Sequence, residues 1–109
     1  MDGLNFASKG GADCYVYLKL LERGLTISGL TCQVQTDLSA GVMYKADFRY
    51  YDMKLKRDIW AEFKGVETDR WSIIKKLWKC YGPGLLRIYK GTGLGIVVDE
   101  EIEPDKHKQ

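Results

Sequence analysis

Two runs decide the fold: Val42-Met43-Tyr44-Lys45-Ala46-Asp47-Phe48-Arg49-Tyr50-Tyr51 and Asp58-Ile59-Trp60-Ala61-Glu62-Phe63-Lys64-Gly65-Val66. Both are rich in aromatic and β-branched residues and read as strands. Tyr44, Phe48 and Tyr50 are expected on one alternating face. The polar, basic segment Asp52 to Arg57 suits a hairpin connection somewhat longer than the tightest turns. Antiparallel counting across that connection sets Asp47 opposite a residue near 62. On the later strand Glu62 and Lys64 share a face, while Ala61, Phe63 and Gly65 take the other. Two carboxylates and an ammonium are therefore expected at one spot.

Upstream, Ala12, Tyr15, Val16, Leu18 and Leu21 recur at helical spacing from about Gly11 to Arg23, with Ser8 as a cap and Gly24 as a stop. Thr31-Cys32-Gln33-Val34-Gln35-Thr36 reads as a strand over about 31–38, and Ser39-Ala40-Gly41 as a turn. Downstream, Thr68 or Asp69 caps a helix to about Cys80, its apolar stripe formed by Trp71, Ile74, Leu77, Trp78 and Tyr81. Gly82-Pro83-Gly84 stops it. Leu85 to Tyr89 is a fourth strand and Ile96-Val97-Val98 a short fifth. Gly91-x-Gly93-x-Gly95 lacks the strand-loop-helix setting of a nucleotide loop and reads as a flexible turn. The order α-β-β-β-α-β-β predicts an α/β fold with a mixed sheet, its third and fourth strands parallel across the second helix.

The 109 residues make one domain, expected over 1–98, with 99–109 a charged, mobile tail. No apolar run approaches the roughly 18–20 residues that cross a bilayer, and Met1-Asp2-Gly3-Leu4-Asn5 does not read as a secretory leader; no membrane partner is expected. Cys14, Cys32 and Cys80 are too scattered for a zinc ribbon or a disulfide framework and read as small buried thiols in a reducing compartment. The one histidine, His107, disfavours histidine-based triads and multi-histidine metal sites.

The net charge of +2 hides an uneven distribution. Residues 64–90 hold seven bases against two acids, and 99–105 hold five acids and no base, which suggests a local positive surface. Lys75, Lys76 and Lys79 lie off the apolar stripe of the second helix and are candidates for phosphate contact. Asp47 and Glu62 suit a hard cation that keeps coordination positions for water and phosphate. Lys64 suits the orientation of an attacking water or the stabilisation of charge on a phosphodiester.

Ala46-Asp47-Phe48 followed by Glu62-Phe63-Lys64-Gly65, a helix and another strand resembles the PD-(D/E)XK nuclease superfamily. Its restriction-endonuclease-like core has the order α-β-β-β-α-β; Ala46 replaces the proline of the motif. More narrowly, the chain resembles a family of small phage-encoded, endonuclease-like proteins. That pattern runs through Phe6-x-Ser8-Lys9, Ala12, Tyr15, Leu30-x-x-Gln33, Tyr44-x-Ala46-Asp47-Phe48, Glu62-x-Lys64-Gly65 and Thr68, covering roughly residues 5–90. The resemblance implies a Mg²⁺-dependent endonuclease, with Mn²⁺ as a substitute, that nicks or cleaves DNA, branched DNA included. Asp47 and Glu62 would hold the metal, Lys64 would assist the water, and Gln33 would be an accessory residue. It further implies action in the host cytoplasm and, by analogy with fold relatives, a homodimer.

One departure bears on activity. The family places a glutamate where this chain has Gly11. Asp13 lies about 200° around the helix from that position, and Glu22 about 16 Å along it, so neither replaces it. A catalytically silent DNA-binding module of the same fold is the competing expectation, and a protein-interaction domain working through its acidic tail is a third.

Overall fold

The computed structural model describes residues 8–39, 41–65 and 68–105. Met1 to Phe6, Ala40, Val66 and His107, named above, lie outside the described residues. Helix α1 (Lys9–Arg23) is followed by strands β1 (Ile27–Asp37), β2 (Met43–Asp52) and β3 (Arg57–Phe63). Helix α2 (Asp69–Tyr81) leads to β4 (Leu85–Lys90) and β5 (Val97–Ile102). The strands form one α/β mixed sheet in the order β1-β2-β3-β4-β5. Among the described residues only β3 and β4 pair in parallel; the other ladders are antiparallel. Among the described residues no helix is long and apolar enough to cross a membrane.

The helix boundaries follow from capping chemistry. Ser8 Oγ accepts from the Gly11 amide, and Thr68 Oγ accepts from the Trp71 amide. Each satisfies one donor that the first helical turn leaves without a partner. The β2–β3 connection closes around Asp52, whose Oδ1 accepts from the amides of Lys54 and Leu55 at 2.9 and 2.8 Å.

Each helix covers one face of the sheet. Cys14, Tyr15 and Leu18 of α1 pack with Phe48, Tyr50, Ile59, Ala61 and Tyr89. Trp71, Ile74 and Trp78 of α2 pack with Tyr44, Ala46, Trp60, Leu86 and Ile88. Leu77 is only half-buried and Tyr81 is exposed, so the apolar stripe of α2 buries less than its sequence predicts.

Tyr44 does not share a face with Phe48 and Tyr50. Tyr44 and Ala46 belong to the layer under α2, Phe48 and Tyr50 to the layer under α1. The change falls at Asp47, between the pairs Cys32↔Phe48 and Val34↔Ala46. The facing residue there is Gln33, whose φ of 57° is left-handed. An extended strand keeps alternate side chains on one side; a left-handed residue in its partner bends the ladder and breaks that alternation.

The acidic end is part of the sheet, contrary to the expected boundary at 98 and the expected mobile tail. β5 runs to Ile102, paired with β4 through Leu86↔Ile102, Arg87↔Glu101 and Ile88↔Glu100. Ile102 and Pro104 are buried. The acids meet bases on neighbouring elements: Asp99 with Lys90, Glu100 with Lys75, Glu101 with Arg87 and Glu103 with Arg57. Partners for those charges and anchors for the apolar side chains order residues 99–105. The thiols also differ from expectation: Cys14 is buried and Cys32 half-buried, but Cys80 is exposed.

Candidate functional site

Asp47, Glu62 and Lys64 meet where β2 bends and β3 ends. Continuing the register Phe48↔Ala61 by one step sets Asp47 against Glu62. The Asp47 amide points at Glu62 Oε1 at 3.4 Å, and Asp47 Oδ2 accepts from the Phe63 amide at 2.9 Å. The Lys64 ammonium stands 3.4 Å from Glu62 Oε2, and its own amide donates to the Tyr89 carbonyl at 3.0 Å, which ties the end of β3 to β4.

Burial makes these charges costly. Glu62 is 6% exposed. That burial, with the nearby Asp47 charge, pushes its carboxyl up to about 7, against the pull of Tyr44 and Lys64. Burial also raises the Asp47 carboxyl, against the Phe63 amide and Lys64. Two neighbouring carboxylates that each resist ionisation form the electrostatic setting that a cation relieves. Mg²⁺ takes one or two carboxylates and keeps several waters. The pair fits that ion, and among the described residues no cluster of three or more His, Cys, Asp or Glu offers a fuller cage.

Two contacts were not legible in the sequence. The Tyr44 hydroxyl donates a short hydrogen bond to Glu62 Oε1, and the Lys64 ammonium lies 4.9 Å from the centroid of the Trp71 ring. Both aromatics read as core, and both are core; their polar contacts depend on the bend at Asp47 and on how α2 docks. A cleft of about 600 Å³ opens beside Lys64, walled by Ser8, Gly10, Phe63, Gly91 and Lys90. Gly10 admits the Phe63 ring: a Cβ there would stand 2.6 Å from Phe63 Cε2 and 3.1 Å from the Gly91 carbonyl oxygen.

Other sequence candidates lie elsewhere. Gln33 is exposed and borders the site through its backbone, opposite Asp47. Lys76 and Lys79 are exposed on α2. Lys75, expected to face phosphate, instead turns onto Glu100 at 3.1 Å, because β5 continues past α2 and carries an acid there. Gly11 is buried in α1, whose first turn holds no acid. Asp13 is engaged by Lys9 and the Gly93 amide, and Glu22 by Lys19 and the Leu30 amide. The Cys14 thiol is pushed up to about 12 by burial and then by the Asp47 charge. A thiol kept protonated at neutral pH is a poor nucleophile.

No family model matches this chain, and no curated protein matches it significantly. A solved structure titled SSO0001 is similar over 90% of this chain, at 17% identity and a TM-score of 0.42. The match covers 52% of that protein, so this chain spans about half its length.

Proposed function

We propose that the protein is a metal-dependent DNA endonuclease of the PD-(D/E)XK kind. The supporting observation is the meeting of Asp47, Glu62 and Lys64, with Glu62 3.4 Å from both the Asp47 amide and the Lys64 ammonium. Asp47 and Glu62 are the ligands for Mg²⁺ or Mn²⁺. When bound, such an ion lowers the pKa of a coordinated water and offsets charge on the phosphate. The Phe63 amide fixes Asp47, and the Tyr44 hydroxyl fixes Glu62. Lys64 orients the attacking water and faces the charge that develops on the phosphate oxygens. The cleft beside Lys64 takes the DNA strand, and Lys76 and Lys79 contact its backbone. Phage origin, action in the host cytoplasm and a homodimer reaching both strands belong to the same reading.

The test is cleavage of supercoiled, linear and branched DNA with Mg²⁺, Mn²⁺ or EDTA. Nicking or cutting is expected with either metal, and none with EDTA, Asp47→Ala or Lys64→Ala. Metal-independent cutting, or cutting that survives both substitutions, refutes the proposal.

A silent DNA-binding module of the same fold is the second reading, favoured by Gly11 and the acid-free first turn of α1. Salt-dependent DNA affinity without any cutting selects it. A large gain in cutting by Gly11→Glu would identify the missing acid as the defect.

A further inference from the structure

Lys64 is one residue past the end of β3, and its four-carbon stem is flexible. Its ion pair with Glu62 is long, and the side chain is 33% exposed, so that pair alone fixes the ammonium weakly. The Trp71 ring is the second constraint, with the ammonium 4.9 Å from its centroid. The ring is itself packed into the core. Trp71 is 3% exposed, its amide is capped by Thr68, and its ring packs 6.0 Å from that of Tyr44. Tyr44 in turn holds Glu62. One aromatic pair thus braces both the carboxylate and the ammonium.

The geometry points to Trp71 as a positioning residue for Lys64, its indole face setting where the ammonium stands during phosphodiester hydrolysis. This inference rests on the nuclease reading above. A purely packing role explains the burial of Trp71 but gives the ring face no effect on the chemical step. The two roles separate because phenylalanine keeps an aromatic face and leucine does not, while both leave space in the core.

The experiment compares wild type, Trp71→Phe and Trp71→Leu by single-turnover cleavage at saturating Mg²⁺ and DNA, with DNA affinity and thermal unfolding measured alongside. Trp71→Leu is expected to slow cleavage about ten-fold at unchanged DNA affinity, and Trp71→Phe to stay within about three-fold of wild type. Equal rates in the two variants, or a loss carried wholly by DNA affinity, overturn the inference while leaving the nuclease reading intact. The ε-methylene protons of Lys64 supply a readout without turnover. Their NMR signals are expected upfield in wild type and Trp71→Phe, and at ordinary positions in Trp71→Leu. Unshifted signals in wild type also overturn the inference, and if Trp71→Leu fails to fold, wild type and Trp71→Phe still decide it. Wild-type protein that binds DNA and never cuts it removes the nuclease reading and this inference together.

Discussion

The Asp47 amide is 3.4 Å from the Glu62 carboxylate, so the backbone of one acid is directed at the side chain of the other across the β2–β3 ladder. The two acids are thereby kept close although the Asp47 charge, after burial, raises the cost of ionising Glu62. That tension makes the pair sensitive to charge removal and to pH.

Asp47→Asn keeps an oxygen for the Phe63 amide and drops the charge. It is expected to fold like wild type and to lose metal-dependent cleavage by on the order of 10²-fold or more. Circular dichroism and a gel-based cleavage assay check the two halves. A well-folded variant with wild-type cleavage contradicts the ligand role of Asp47.

Glu62 gives a pH signature. Its folded carboxyl sits at about 7, above its ordinary value of 4.5, so the folded chain holds that proton more tightly than the unfolded one. Its contribution to stability is full below about 4.5 and is lost as pH rises through about 7. Thermal unfolding in EDTA should therefore show a decline across that window that Glu62→Gln flattens. Added Mg²⁺ at pH 8 should raise the wild-type Tm and leave that of Glu62→Gln nearly unchanged.

Asp52 behaves oppositely. Burial resists its ionisation, but the Leu55 amide, the Arg87 guanidinium and the Lys54 amide together hold its carboxyl below the usual range. Its stabilising effect is present above the ordinary value of 3.8 and is lost as pH falls through the lower folded value. Asp52→Asn is expected to cost about 1–3 kcal/mol at pH 7, and that difference should shrink towards pH 2 in denaturant titrations.

Gly10→Ala links packing to the site. The added methyl meets the Phe63 ring, and Phe63 carries the amide that holds Asp47. A loss of about 1–3 kcal/mol is expected, together with reduced cleavage. Unchanged thermal unfolding would show that the ring moves aside freely.

Truncation after Val98 checks the role of the acidic strand. It removes Ile102 and Pro104 from the core, along with the partners of Lys75, Arg87, Lys90 and Arg57. The shortened chain is expected to lose cooperative unfolding, and Ile102→Ala alone to cost about 2–4 kcal/mol. A truncated chain with the same midpoint would restore the reading of residues 99–105 as a loose tail.

Local signals account for what the sequence disclosed. Ser8 and Thr68 cap the helices as their residue types predict, and counting back from the β2–β3 turn sets Asp47 against Glu62. The rest depended on tertiary context. Gln33 adopts a left-handed φ without the glycine or asparagine that usually announces one, so the transfer of Tyr44 to the α2 layer carries no local mark. Acid content concealed the continuation of β5 past Val98, yet the spacing of Val98, Glu100 and Ile102 is that of a strand. Trp71 and Tyr44 show how a core aromatic can also hold a polar group, which periodicity alone does not reveal.

The bulged β1 and the acid-studded β5 are the outer strands of the sheet. A register shift between Ser28 and Thr31 and the twist at Gln33 spoil one as a template for a further strand. A register shift between Ile88 and Tyr89 interrupts the ladder of the other. Both margins are thereby poor templates for pairing with a further strand.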